Sequence, residues 1–170
     1  MPKIIENVKE KLIEEARRQV AEQGYAKTTI RSIAGACGLA SGTVYNYFPS
    51  KDVLFAAFML ADWEKCLNAM KTCATGDVRA FLGHVCGCLR EYIDSHSGLL
   101  FDKDASAPFA AAFPKMHTLL RSQIADVITP VCGGHEPFFA EFVAESLLSW
   151  TSAGKSFDEQ YSVLGQLFGR

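Results

Sequence analysis

Apolar residues recur along this chain at intervals of three and four, the periodicity of amphipathic α-helices, and not at the interval of two that marks strands. The first such segment runs from about Lys3 to Gln23, and Gly24 follows as a stop that is free to adopt the left-handed conformation. The predicted buried stripe of this helix consists of Ile5, Val8, Leu12, Ala16 and Val20. The pattern predicts an all-α protein.

Two short helices joined by a tight turn are predicted next. Thr28 or Thr29 caps the first of them, Gly38 ends it, and the second spans about residues 41–48, before a proline. Two short helices separated by a turn of three or four residues that contains glycine form the helix-turn-helix arrangement. We therefore expect residues 1–52 to be a three-helix DNA-binding domain.

The remaining residues, 53–170, are expected to form a helical effector-binding and dimerisation domain. A long fourth helix starts after Ser50, and Pro114 is expected to kink or split a later one. The motif Ser-x-x-Glu at Ser156 and Glu159 has the spacing of a capping box and starts the last helix. The predicted helices cover about residues 50–72, 78–94, 108–129, 136–153 and 156–168.

The 170 residues are 49% hydrophobic and 21% charged, a composition that argues against a disordered protein. Charge is distributed unevenly along the chain. The net charge is −2, but residues 1–52 hold eight lysines and arginines against six acidic residues, and residues 53–170 hold nine against thirteen. A basic first part and an acidic second part suit a protein in which only the first part contacts phosphates.

Several classes of protein are disfavoured by what the sequence lacks. No apolar run is long enough to cross a bilayer, and the N-terminal segment lacks the features of a signal peptide, so we expect a cytoplasmic protein with no membrane partner. We find no glycine-rich phosphate loop, nucleophile motif or set of metal ligands along one helix. We therefore expect no enzymatic activity, no cofactor and no metal site.

The segment around the predicted turn resembles the DNA-binding domain of the TetR family of bacterial repressors. The similarity consists of Gly38-Leu39, Ser41-Gly42, the run Thr-Val-Tyr-Asn-Tyr-Phe at residues 43–48, and Ser-Lys-Asp at residues 50–52. It covers about residues 8–55, and beyond them only the helical pattern agrees. The family often has serine where this chain has Ala40, so either the helix cap shifts to Ser41 or a backbone amide is left to solvent.

The resemblance and the side-chain chemistry together indicate residues that contact DNA. An arginine such as Arg31 can donate two hydrogen bonds to guanine, the start of the third helix approaches base edges, and Tyr47 and Lys51 suit phosphates. The full predicted DNA-binding set is Thr28, Thr29, Arg31, Ser41, Gly42, Thr43, Tyr45, Asn46, Tyr47 and Lys51.

The resemblance also implies a homodimer on a double-stranded operator, with recognition helices about 34 Å apart, and a small organic effector. The last two helices are rich in apolar residues, and we expect them to pair with their symmetry mates as a four-helix bundle. Core packing remains open as an alternative for each candidate effector-binding residue: Trp63, Phe81, His84, Phe101, Phe109, Phe113, Met116 and His117.

Two other regulatory functions stay open at this stage. One is a DNA-binding protein without a small-molecule effector, which acts architecturally or through a protein partner; a ligand-induced rise in melting temperature distinguishes the two. The other, less favoured, is a thiol or metal sensor. It rests on the six cysteines and on His84 and Cys88, which are four residues apart, although no Cys-x-x-Cys spacing occurs.

Overall fold

A computed structural model describes residues 7–73, 75–100, 113–133 and 136–169, without the side chains of Leu100, residues 113–115 and Pro137. All regular secondary structure in these ranges is helical, which confirms the all-α prediction. Phe101 and Phe109 lie outside the described residues, and Phe113 is described only as the start of a helix. No helix in the described ranges is both long enough and apolar enough to span a membrane.

The helices follow the predicted order, with an additional short one after the fifth. A 3₁₀ turn, Thr129–Val131, follows the helix that ends at Ile128. The helices are α1 (Val8–Lys27), α2 (Ile30–Ala36), α3 (Ser41–Tyr47), α4 (Lys51–Lys71), α5 (Val78–Ser95), α6 (Ser97–Leu100), α7 (Phe113–Ile128), α8 (Pro137–Ser152) and α9 (Phe157–Leu167).

Polar caps start the helices where the sequence places them. The Ser50 hydroxyl accepts the Val53 amide at 3.2 Å, and Ser156 forms the predicted capping box with Glu159. The backbone amide of Ser156 holds the pKa of the Glu159 carboxyl down at about 2, so this cap stays charged near neutral pH. Pro114 is the second residue of α7 as far as that helix is described.

The chain divides into two compact units, and the division differs from the expected boundary at residues 52 and 53. The first unit extends to Asp62 and includes the segment that starts at His96, whereas the second contains Trp63–Ser95 and α7 to α9. The difference has a packing cause, because the first half of α4 contributes buried side chains such as Phe55 and Phe58 to the core of the first unit. Leu99, 3% exposed, belongs to the same core.

An ion-pair network joins three helical segments of the first unit. The Arg17 guanidinium donates two hydrogen bonds to the Asp62 carboxylate, at 2.9 Å from Nε and 2.6 Å from Nη2. His96 Nε2 lies 3.2 Å from Asp62 Oδ2, and the imidazole stacks on Phe58 with ring centroids 5.7 Å apart. Asp62 thus connects α1, α4 and the turn before α6.

The second unit has a core of its own, built from α5, α7, α8, α9 and the end of α4. Its largest fully buried side chain is Trp63, whose indole Nε1 donates to Gln123 Oε1 at 2.8 Å. Helices α5 and α9 approach closely at Gly83, where an added methyl group would lie only 3.0 Å from the Phe157 ring. A side chain at this position would therefore require the Phe157 ring to move by a few tenths of an ångström.

Replacement of Asp62 by alanine is expected to lower the free energy of unfolding by about 2 kcal/mol, because it leaves a partly buried guanidinium without its two-point partner. Denaturant titration measures the change. The control is Glu14→Gln, since Glu14 also pairs with Arg17 but is 69% exposed and should contribute less than about 0.5 kcal/mol. Equal effects of the two substitutions would contradict the structural importance of Asp62.

Candidate nucleic-acid interface

The start of the helix-turn-helix is fixed by a change of direction at Gly24. This residue has a φ of +79°, as predicted, and one further helical turn follows it before α1 ends at Lys27. The Thr28 hydroxyl donates to the Gly24 carbonyl at 2.9 Å, and Thr28 is fully buried. Thr29, and not Thr28, is the N-cap of α2, where it forms a reciprocal cap with Ser32.

The turn between α2 and α3 depends on Gly38, which has a φ of +69°. This left-handed conformation allows the Leu39 amide to donate to the Ala34 carbonyl at 2.8 Å, which closes the end of α2. No atom lies within 4 Å of the place that a side chain at Gly38 would occupy. The requirement for glycine here is therefore conformational and not steric.

Helix α3 begins without a side-chain cap. Ala40 is its N-cap residue and makes no side-chain hydrogen bond, so Ser41 does not take over the cap. Val44 is fully buried, and Phe48, just after the helix, is 2% exposed. These two side chains, four residues apart, hold one narrow edge of α3 against the core, and the rest of its surface faces outward.

Most of the predicted DNA-binding residues are accessible on α2 and α3. Arg31 is exposed one turn from Thr29, and on α3 the side chains of Tyr45 and Tyr47 are 53% and 46% exposed. Asn46 lies between the two tyrosines and is exposed as well. The remaining members of the accessible set are Ser41, Gly42 and Thr43.

Thr28 and Lys51 differ from the rest of that set. A fully buried Thr28 has no side-chain surface to present to a phosphate, and we leave it out of the interface. The Lys51 ammonium is directed inward, where it donates to the Tyr25 carbonyl and lies over the Tyr25 ring. Sequence reasoning missed Tyr25, although an aromatic residue directly after a predicted helix stop was a signal that could have identified it.

The candidate effector residues are distributed over different environments of the second unit. Trp63 and Phe81 are buried in its core, whereas Met116 is 41% exposed. His84 Nε2 lies 2.9 Å from the Ala69 carbonyl oxygen, and His117 Nε2 lies 3.6 Å from Glu145 Oε1. Among the described candidates, Trp63 and Phe81 are buried and Met116 is exposed. That these residues line one effector pocket remains a prediction.

The cysteines show no arrangement of a metal centre in the part of the chain that the structure describes. There, no group of three or more histidine, cysteine or acidic side chains is placed to hold an ion. Cys66 Sγ lies 3.4 Å from the Cys88 carbonyl oxygen, and burial raises the pKa of the Cys66 thiol to about 12. A thiol that stays protonated at neutral pH is a poor nucleophile, which disfavours a reactive site at Cys66.

The family model described as bacterial regulatory proteins, tetR family, matches residues 12–58, which contain all of α2 and α3. Residues 12–58 of this chain thus match the DNA-binding segment of the TetR family. The matched residues include the Gly38 turn and both exposed tyrosines, so the surface described above is the part of the chain that carries the family pattern.

Curated relatives agree over the same part of the chain. The HTH-type transcriptional repressor Rv1474c of Mycobacterium tuberculosis is 36% identical over 69 residues, which are 38% of this chain and 37% of that protein. The HTH-type transcriptional regulator UidR of Escherichia coli is 32% identical over 57 residues, 34% of this chain and 29% of that protein. The alignments thus span about a third of the length of these relatives.

Solved structures extend the likeness of fold to nearly the whole chain. A transcriptional regulator from Cytophaga hutchinsonii superimposes with a TM-score of 0.68 at 22% identity, over 90% of this chain and 88% of that one. The TetR family repressor AlkX from Dietzia superimposes with a TM-score of 0.66 at 16% identity, over 94% of each chain. At these identities the comparison shows a shared fold.

Two glycine substitutions are expected to have opposite effects on the helix-turn-helix. Gly38→Ala should destabilise the protein by about 1–2 kcal/mol, because a side chain disfavours the left-handed conformation. Gly35→Ala, in helical conformation on the exposed side of α2 and with nothing within 4 Å, should stabilise it by about 0.5–1 kcal/mol. Thermal denaturation followed by circular dichroism measures both, and a stabilising Gly38→Ala would refute the assigned turn.

Proposed function

We propose that this chain is a homodimeric transcriptional repressor that binds a specific DNA operator through α2 and α3 and is released from it by a small organic effector. One observation carries the DNA-binding part: every residue of α3 except Val44 keeps solvent exposure, on a helix that is otherwise too short to be stable in isolation. A helix held by one edge, with hydrogen-bonding side chains on the other, suits the major groove.

The roles of individual residues follow from their placement and chemistry. Arg31 is exposed and can donate two hydrogen bonds to a guanine, and Thr43 and Asn46 offer hydrogen-bonding groups to base edges. The hydroxyls of Tyr45 and Tyr47 are suited to phosphate oxygens on either side of the groove. Thr29 lies at the start of α2, where its backbone suits another phosphate. The repressor named among the relatives supports this assignment.

Dimerisation is supported by a broad apolar surface on α8 and α9. Phe138, Phe142 and Trp150 recur at multiples of four along α8, and they are 72%, 45% and 54% exposed. Val163 and Leu167 continue the surface on α9 with the same spacing. Phe138, Phe142 and Leu167 line an open groove of about 360 Å³. Exposed aromatic side chains in such number are typical of an interface, and a second copy would bury them in a four-helix bundle.

A small organic effector is proposed to bind the second unit. The family resemblance supports it, and the second unit has aromatic and histidine side chains that suit a small organic molecule with a few polar groups. His84 and His117 are both partly exposed, and they are the candidates with polar groups to offer such a molecule.

Arg31→Ala is expected to weaken operator binding by about 1–3 kcal/mol and to relax the preference at one base pair, because it removes a two-point contact to a base. Fluorescence anisotropy with DNA that flanks the gene measures the affinity. Arg18→Ala is the matched control, since Arg18 is an exposed arginine of α1 whose guanidinium is bound to Glu15 and Glu22. If the unmodified protein binds this DNA no better than random DNA, the assigned operator location fails; if it prefers no DNA sequence in a random library, the function itself is refuted.

Phe142→Glu is expected to convert the dimer to monomers at micromolar concentration, because it places a charge in an apolar interface and removes an aromatic contact worth about 2 kcal/mol. Light scattering coupled to size-exclusion chromatography measures the mass. Leu60→Glu is the control, since Leu60 is also 45% exposed but belongs to the first unit. A Phe142→Glu protein that remains dimeric would exclude this face as the interface.

A further inference from the structure

A glutamine lies among the apolar residues on the buried side of α1. Gln19 is 6% exposed, and Ala16 and Val20 on the same side of the helix belong to the core of the first unit. Burial of an amide costs free energy unless its polar atoms form hydrogen bonds. Both ends of the Gln19 amide do so, and the partners at the two ends belong to different helices.

The two partners of Gln19 fix the orientation of its amide. Its Nε2 donates to Glu15 Oε1 at 2.6 Å, and its Oε1 accepts the Ser32 hydroxyl, also at 2.6 Å. The hydrogen bond from Arg18 holds the pKa of the Glu15 carboxyl below its ordinary value, so near neutral pH this group is an acceptor only. The amide nitrogen must therefore face Glu15, which leaves the amide oxygen for Ser32.

Ser32 belongs to the reciprocal cap that starts α2. Its hydroxyl oxygen accepts the Thr29 amide at 3.1 Å, and the Thr29 hydroxyl oxygen accepts the Ser32 amide at 3.0 Å. A hydroxyl has one proton to donate, and Gln19 Oε1 at 2.6 Å is a closer acceptor for Ser32 than the Thr29 carbonyl oxygen at 2.9 Å. Gln19 therefore ties the first turn of α2 to α1.

We propose that Gln19 is a positioning residue for operator recognition, which fixes the rotation of α2 through Ser32 and with it the direction of Arg31, the preceding residue. The inference rests on the proposed DNA-binding function. It gives α1 a part in sequence specificity through a buried side chain that does not itself reach DNA.

The physical argument is that apolar packing alone leaves the rotation of α2 loosely defined. The buried residues of this helix are Ile30, Ile33 and Ala34, and burial of apolar surface has no preferred direction. A hydrogen bond, in contrast, is sensitive to both distance and angle. Arg31 can bind a guanine at two points only if its guanidinium meets both acceptors, so a small rotation of α2 would weaken the specific contact.

Gln19→Leu should separate operator affinity from stability. After this substitution the Ser32 hydroxyl can turn to the Thr29 carbonyl, and Glu15 keeps its hydrogen bonds from Arg18. No buried polar group is then left unpaired, so the free energy of unfolding should be unchanged or higher. Operator affinity should fall about three- to tenfold, the equivalent of one hydrogen bond. Affinity for random DNA of the same length should not change, because phosphate contacts supply it.

Ser32→Ala tests whether Gln19 acts through Ser32. It should weaken operator binding at least as much as Gln19→Leu, and the double variant should be no weaker than Ser32→Ala alone. Gln23→Leu is the matched control, since Gln23 is an exposed glutamine one turn further along α1 that donates to Gln19 Oε1 at a longer distance of 3.3 Å. It should change neither affinity. Fluorescence anisotropy with operator and random DNA measures the affinities of the full-length variants, and denaturant titration measures their stability.

Several results would overturn this inference while the unmodified protein still prefers its operator. They are unchanged operator affinity in Gln19→Leu, an equal loss of affinity for random DNA, a loss that accompanies a lower free energy of unfolding, or additive effects of the Gln19 and Ser32 substitutions. If Gln19→Leu is unfolded by circular dichroism, Gln19→Met replaces it. Unfolding of both variants would also overturn the inference, because Gln19 would then be required for the fold itself. An unmodified protein that prefers no DNA sequence would instead refute the proposed function.

Discussion

The orientation of one short helix is the constraint on which this molecule's proposed activity depends. Helix α3 has seven residues, no side-chain cap and a single buried side chain, so it has little stability of its own. Its direction is imposed by Val44 and Phe48 at one edge, by the Gly38 turn before it and by α4 after it. The surrounding helices serve as a frame for α3, and the polar side chains of α3 remain at the surface.

The frame extends beyond the sequence motif. Asp62, the last residue of α4 in the first unit, binds Arg17 of α1. At the start of α4, Lys51 donates to the carbonyl of Tyr25 in the last turn of α1. Helices α1 and α4 are therefore connected at two places, by Arg17 with Asp62 and by Tyr25 with Lys51. Both connections support the two helices that flank the helix-turn-helix.

Local signals in the sequence were sufficient for the helices but not for the direction of polar side chains. The turn at Gly38 and the capping box at Ser156 follow from residue types at fixed spacing, because such motifs are closed by neighbours in the chain. Thr28, which was expected to contact DNA, is fully buried, and Lys51 donates to the carbonyl of Tyr25, a partner 26 residues away in the chain. The end of the first unit at Asp62 escaped prediction for the same reason, since long-range packing decides it.

The absence of a side chain at Gly83 bears on the exposed surface of α9. Because the ring of Phe157 lies directly against it, α5 and α9 meet here with little room for a side chain. With a larger residue at position 83, either this ring or α9 itself would have to shift by a few tenths of an ångström. Since α9 also carries the exposed Val163 and Leu167, a shift of that helix would move part of the surface that we propose to pair with a second copy.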